Sequence, residues 1–463
     1  MSADRLSAVV SGLFFSFAAL GQGENRIQTR YLTEQERAEY LHFADDVGDW
    51  IWECRPDLAG FTDPPPASSR FLAESEKTQG VLHGWSPAGC YVPELTELLR
   101  ESINTVETTV MVPAAYYDSA RSCLSSRGFT PEDLELINWY LVPIEFDGRD
   151  TDLDIWIRDY GPQILRAPTG YQFVDMGYYS GPSVRDCAGF GGRPNTDVSP
   201  THFASGIDVP TPTFIDGVDV FRPPLRALGG NLQTDGLGTC VHMRRDALAF
   251  NNFGGTHGWQ YTQEQLDDVY RAFFNCKRVI VLESFEPDPQ FTIGQRWVID
   301  YVDMFMTIVS PQTVMVAQLD PEDAAFDPVN AQLMDGNAQT LADAGYNVVR
   351  IPQPRRYCTV HSPSTCIANP GRARLCSSSG SLDRVWATYA NSIRIGNKMI
   401  VPVYHDVPEE LADAIAAQED KALTTYQATL DAEFGDGVVQ VIPMVSDQMI
   451  PCQGSLHSIA VTY

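Results

Sequence analysis

Lysine is nearly missing from this chain. Of 463 residues only Lys77, Lys277, Lys398 and Lys421 are lysine, and 32 basic residues face 60 acidic ones, for a formal net charge of -28. A surface of that sign repels phosphate backbones and anionic headgroups, which argues against a nucleic-acid partner and against docking on a membrane. It suits a cationic ligand, although negative charge also serves solubility alone. There is no G-x-x-x-x-G-K loop, no dinucleotide glycine fingerprint after a strand, no H-E-x-x-H helix and no G-x-S-x-G turn. With them goes the usual sequence evidence for a nucleotide, a catalytic zinc or an α/β-hydrolase serine. No C-x-x-C pair suggests a zinc site, and no N-x-S/T acceptor suggests glycosylation. No run after residue 21 is long and apolar enough to span a bilayer. The sequence implies no metal or organic cofactor and says nothing of oligomeric state.

What is present has ordinary globular composition: 44% hydrophobic and 20% charged residues argue against a mainly disordered chain. After Arg5 the run 6–20 is apolar, and small residues Ala19 and Gly21 precede Gln22. Residues 1–21 therefore have the outline of a secretory signal, though Asp4 weakens the charged end; a buried helix is the other reading. The ten cysteines are even in number, and Cys358, Cys366 and Cys376 share a stretch rich in Ser, Pro, Arg and Gly. Such a loop is the kind a disulfide staples in an oxidising compartment, against free buried thiols in a reducing one. The expectation is a secreted or periplasmic protein. Cys452 reads as a disulfide partner and Cys240, in a strand, as core packing; the pairing does not follow from the spacing.

Residues 22–67 read as an appendage. A helical pattern over 32–52 closes with Asp63-Pro64-Pro65-Pro66, a stiff spacer that cannot continue a helix. From residue 68 to 463 short apolar strands alternate with helices without a second linker, which predicts one large α/β domain. The patterns predict strands at 108–113, 141–145, 163–166, 171–175, 239–242, 278–282, 314–318, 347–351, 392–395, 399–403 and 438–443. They predict helices at 92–104, 131–139, 262–274, 328–343 and 408–430, the last broken up by small residues. The polar stretch 352–384 between two strands is an insertion.

Four segments stand out in order. They are Trp156-Ile157-Arg158-Asp159-Tyr160-Gly161-Pro162, Gly229-Gly230-Asn231 with Asp235-Gly236-Leu237-Gly238-Thr239, Asp300-Tyr301-Val302-Asp303, and Leu456-His457-Ser458. Thr388-Tyr389-Ala390-Asn391-Ser392 lies between the last two. Over roughly residues 68–463 this order resembles the guanidine-modifying pentein superfamily, and within it the branch of Porphyromonas-type peptidylarginine deiminases and agmatine deiminases. The W-x-R-D-x-G-P and G-G-N…D-G-x-G-T segments are specific in combination. The resemblance implies an α/β pentein fold, a pseudo-fivefold propeller of ββαβ units around a central cavity. It implies a small guanidine or an arginine-containing peptide or protein as partner.

The chemistry explains the residue types. Carboxylates can grip the N–H fork of a guanidinium. A cysteine thiolate attacks the central carbon, a histidine protonates the departing ammonia, and water releases a ureido product. By the resemblance, Asp159 and Asp303 are the guanidinium carboxylates, Asn391 is the late-strand asparagine, and Gly229, Gly230 and Asn231 form the substrate-side turn. Three positions depart from the pattern: Leu228 stands where an acid often precedes that turn, Tyr301 where the catalytic histidine belongs, and Ser458 where the cysteine belongs. A tyrosine, with an ordinary pKa of about 10, is a reluctant acid, and serine needs a base within reach. His457 is next to Ser458, but adjacent side chains of an extended segment face opposite sides, so His457 is expected to face the fold. The buried Asp303 needs a partner, either ligand or ion pair, and Asp159 could serve the turn alone. The leading expectation is a degenerate homologue that binds guanidinium groups without turning them over. The alternatives are an active guanidine hydrolase with altered residues, and a secreted interaction protein that uses the propeller as a scaffold.

Overall fold

The computed structural model describes residues 62–86, 89–142, 145–146, 149–150, 155–176, 218–221, 223, 225, 227–244, 261–286, 301–357, 385–452 and 454–463. The expected signal segment, the helical part of the appendage, residues 358–384 of the insertion, five cysteines (Cys54, Cys187, Cys358, Cys366, Cys376) and the side chain of Cys452 lie outside the described residues.

Five sheets repeat one wiring, an antiparallel pair followed by a parallel neighbour. In the second sheet Gln233–Thr234 pairs antiparallel with Thr239–Met243, which runs parallel to Arg278–Leu282. The third sheet (Met306–Ile308, Thr313–Leu319, Asn347–Gln353) and the fourth (Ile393–Ile395, Lys398–Val403, Gln440–Val445) do the same. The first adds Arg70–Phe71 at the edge of Gln163–Ala167, Gly170–Val174 and Asp219–Phe221. The fifth joins distant parts of the chain: Val461–Thr462 lies antiparallel on Gly80–Gly84, followed in parallel by Glu107–Pro113 and Ile137–Val142. Parallel neighbours need a crossover. In sheets two to five it carries a helix, respectively Gln263–Phe274, Pro328–Asp343, Glu409–Phe434 and Pro93–Ile103, so the repeated unit is ββαβ.

The helix Gln263–Phe274 shows how the sequence writes one unit. Thr262 caps it: the Thr262 Oγ1 accepts from the Gln265 N–H and the Gln265 Oε1 accepts from the Thr262 N–H, leaving fewer orphan donors in the first turn. Leu266, Val269, Tyr270 and Phe273 follow at helical spacing and are buried with Val279 and Val281 of the adjoining strand. Asn275, at φ 53°, ends the helix in the left-handed conformation. The next residue, Cys276, forms a disulfide with Cys240, so the buried Cys240 is a cross-link as well as core packing. A second disulfide joins Cys90 and Cys123. Among the described residues no helix is long and apolar enough to cross a membrane.

Three elements differ from the sequence-based expectation. The span 131–139 is a helix only over Pro131–Glu135, because Ile137–Val142 pairs residue for residue with Thr108–Pro113 and that pairing outweighs local propensity. Glu409–Phe434 is a single helix of 26 residues; its small residues are largely alanine, the best helix former. The strand Gly80–Gly84 is fully buried but bounded by glycines, which hide it. A Cβ on Gly80 would stand 2.2 Å from the Tyr463 ring, so any other residue there displaces that ring.

Candidate functional site

The conspicuous segments meet because their backbones touch. Asp159 sits on the single helical turn Ile157–Tyr160, and Gly229–Asn231 is a tight 3-10 turn packed against it. A Cβ on Gly229 would lie 2.1 Å from the Arg158 carbonyl oxygen, so only glycine lets these turns approach. Gly230 lies between the two acids: its Cβ would stand 2.9 Å from Asp303 Oδ2 and 3.3 Å from Asp159 Oδ1. The two carboxylates therefore face one another across a missing side chain.

Asn231 works on backbone. Its Nδ2 donates to the Met243 carbonyl at 3.0 Å, and its Oδ1 accepts from the N–H groups of Met243 (3.0 Å) and Val302 (3.2 Å). It thereby fixes the Val302–Met304 turn, and with it Asp303, against the second sheet. Tyr301 caps that turn and packs against the core around Met304 and Tyr389. Asn391 ties three segments: its Nδ2 donates to the Asp303 carbonyl at 3.4 Å, and its Oδ1 accepts from the His457 N–H at 3.1 Å and from the Ser458 hydroxyl at 3.4 Å. Ser458 is buried, and its Oγ also accepts from the Ser455 N–H at 3.4 Å. Asp159, Asp303, Asn391, Ser458 and Gly230 thus gather in one cluster.

Two further residues enter it. The segment around His457 is not extended: His457–Ile459 is a 3-10 turn, and the imidazole points at acids. Its Nδ1 lies 2.8 Å from Asp303 Oδ2 and its Nε2 lies 2.5 Å from Glu74 Oε2. Glu74 holds the buried Arg158 through its other oxygen, at 2.5 Å. Burial alone would raise the Glu74 carboxyl, but the neighbouring Arg158 and His457 outweigh it and hold the group down at about 2. Burial and Arg158 push the His457 ring down, and Glu74 with Asp303 overcomes both, leaving it above its ordinary value. Asp303 Oδ1 is buried with no hydrogen-bond partner among the described residues. Glu74 carries no sequence signal, since Glu76 beside it is chemically equivalent yet pairs with Arg70. A small pocket open to solvent adjoins the cluster at Glu74 and Arg158 and is lined further by Phe71, Gln163, Thr234 and Thr307.

The segment leading to His457 is anchored by Glu94, whose Oε1 accepts from the Gln448 N–H at 2.8 Å. Burial pushes the Glu94 carboxyl up to about 7. A raised carboxyl favours the folded state least when ionised: stability is full below the unfolded value near 4.5 and falls as pH rises to about 7. Glu94→Gln should therefore leave the urea midpoint unchanged at pH 4 but stabilise by roughly 1–3 kcal/mol at pH 8. An equal effect at both pH values would contradict this.

Five sheets of one wiring, four of them with a described crossover helix, and paired acids beside Gly230 define a protein of the pentein fold. The chain belongs to the Porphyromonas-type peptidyl-arginine deiminase family, whose model matches residues 70–463. Solved structures agree on the fold. The agmatine deiminase of Enterococcus faecalis is 17% identical with a TM-score of 0.58, over 87% of this chain and 98% of that one. The C. jejuni agmatine deiminase is 17% identical with a TM-score of 0.54, over 85% of this chain and 95% of that one. A Shewanella frigidimarina protein provisionally named agmatine deiminase is 23% identical over 336 residues, 71% of this chain and 78% of its own length.

Proposed function

We propose that this protein binds a guanidinium group, carried by agmatine, arginine or an arginine-containing peptide, between Asp159 and Asp303, and does not hydrolyse it. The observation that carries this reading is the Asp303 carboxylate: its Oδ2 and Asp159 Oδ1 both border Gly230, and its Oδ1 is buried with no hydrogen-bond partner among the described residues. A buried acceptor of that kind favours a cationic donor, and a guanidinium offers a planar fork of N–H groups that cannot be deprotonated.

Hydrolysis would need a nucleophile and a base. The groups around the Ser458 hydroxyl include the Asn391 amide oxygen and the Ser455 N–H, and neither takes a proton. Both nitrogens of His457 are engaged by carboxylates. Serine without a base is a poor nucleophile. Among the relatives, a cysteine-to-serine variant of the C. jejuni agmatine deiminase has substrate bound, so serine and a retained ligand coexist in one of them. The Cys90–Cys123 and Cys240–Cys276 disulfides support folding in an oxidising compartment, as expected of a secreted or periplasmic protein.

Calorimetry with agmatine, arginine and peptides bearing internal or C-terminal arginine tests the binding, and mass spectrometry of the same mixtures tests for the ureido product. Saturable binding without product is expected. Product from the unmodified protein would make it an active guanidine hydrolase with altered residues, and failure of every ligand to bind would favour a scaffold. Ser458→Cys combined with Tyr301→His should raise ureido formation at least about 100-fold above the parent. If the double variant binds but stays inert, the missing nucleophile and acid do not account for the lack of turnover.

A further inference from the structure

His457 occupies an unusual position for a residue beside a cation site. Each of its ring nitrogens faces a carboxylate oxygen, at 2.8 Å for Asp303 and 2.5 Å for Glu74. Two acceptor oxygens are both met only by a ring with hydrogen on each nitrogen, the imidazolium, and the raised proton affinity of His457 favours that form. The buried side chains then form a row of alternating charge: Arg158, Glu74, His457, Asp303. Among the described residues, the charged groups facing the ring are Glu74 from the loop after Arg70–Phe71, Asp303 from the Val302–Met304 turn and Arg158 from the Ile157–Tyr160 turn. Asp159 lies beyond Gly230, which Asp303 borders with Oδ2, the oxygen that His457 also holds. The His457 backbone is touched by Asn391, which is neutral, and by Arg158, whose Nε donates to the His457 carbonyl at 3.4 Å.

We infer that guanidinium binding at Asp303 expels a proton from His457, so that Glu74 and His457 set the affinity of the site as a function of pH. This rests on the reading of Asp159 and Asp303 as a guanidinium site. In the free protein His457 already neutralises Asp303 through Oδ2, leaving Oδ1 for the ligand. A guanidinium on Oδ1 puts a second cation on one buried carboxylate, and the two repel. The guanidinium keeps its protons at any accessible pH; the imidazolium can lose one. The proton leaves from Nε2 past Glu74, whose side chain is 28% exposed, whereas that of Asp303 is 2% exposed. The neutral ring keeps its Nδ1–H on Asp303; the bare Nε2 no longer bonds Glu74 Oε2, which turns to solvent, while Glu74 Oε1 keeps Arg158 as counter-ion. Nothing else changes hands: imidazolium becomes imidazole, and the proton goes to solvent. Affinity then rises with pH by up to about tenfold per unit, until the ring is neutral without ligand.

The test is calorimetry of agmatine binding to the full chain at pH 7 in phosphate and in Tris, whose ionisation heats differ, with affinities measured from pH 6 to 8. Release of a substantial fraction of a proton per agmatine, with tightening as pH rises, supports the inference. Binding with no proton exchange and a flat pH profile overturns it and leaves the guanidinium site standing. Failure of agmatine and arginine peptides to bind at all overturns both. His457 is followed independently by NMR on histidine-labelled protein, its resonance identified by loss in His457→Asn. A ring doubly protonated at pH 7 whose proton affinity drops at least tenfold in Glu74→Gln is expected. A ring neutral at pH 7 in the unmodified protein overturns the coupling whatever the calorimetry gives.

Discussion

Gly230→Ala is expected to weaken agmatine binding by about two orders of magnitude, equivalent to about 2.7 kcal/mol, while the protein stays folded. The residue is not in a left-handed conformation, so alanine strains nothing in the backbone. The added methyl instead stands 2.9 Å from Asp303 Oδ2, 3.2 Å from its Cγ and 3.3 Å from Asp159 Oδ1. It must push the carboxylates apart and fill the gap they share, a loss that bears on the ligand more than on the fold, where overpacking costs about 1–3 kcal/mol. Gly229→Ala is the control from the adjacent position. Its methyl would meet the Arg158 carbonyl at 2.1 Å, a backbone atom that cannot step aside, and this variant should lose solubility instead. Calorimetry on Gly230→Ala and circular dichroism on both variants check the pair. Unchanged agmatine affinity in Gly230→Ala would remove the site from between these acids.

Deleting residues 460–463 is expected to abolish the folded state. Val461 and Tyr463 are buried against the fifth sheet, and the Tyr463 carbonyl accepts from the N–H groups of Gln79 and Gly80 at 2.6 and 2.9 Å, while its N–H donates to the Gly80 carbonyl at 2.9 Å. Two buried side chains contribute about 1.5–3 kcal/mol each and each backbone bond about 1 kcal/mol. Together these approach the whole stability of an ordinary domain, about 5–15 kcal/mol. The truncated chain should be insoluble, or be cleaved by protease at concentrations the full chain withstands. A soluble truncation with the parental urea midpoint would show that the edge of the fifth sheet is dispensable.

How far the sequence foretold this molecule depends on the range of the interaction. Strands that are continuous apolar runs, such as Arg278–Leu282, and helices with caps and periodicity, such as Gln263–Phe274, are legible because the signal is local. Ile137–Val142 is not, because a tryptophan and a tyrosine after a helical start become a strand only when Thr108–Pro113 lies alongside. The cluster of Asp159, Asp303, Asn391 and Ser458 was legible as ordered motifs. Its other half was not. Glu74 meets His457 across 383 positions of sequence, and nothing local distinguishes it from Glu76. Alternation along an extended segment points His457 into the fold; the segment is a 3-10 turn instead, yet His457 is buried there against Asp303 and Glu74.

The row of Arg158, Glu74, His457 and Asp303 constrains how this protein can diverge. Its members come from four separate stretches of chain, yet removing one charge leaves its neighbours mismatched in a place water does not reach freely. Glu74→Gln sets the Arg158 guanidinium and the His457 ring side by side without the acid between them. Substitutions here should therefore be accepted in compensating pairs, and the order in which they arise matters as much as their identity. Tyr301 and Ser458 lie outside the row, so a substitution at either leaves the alternation of charge intact.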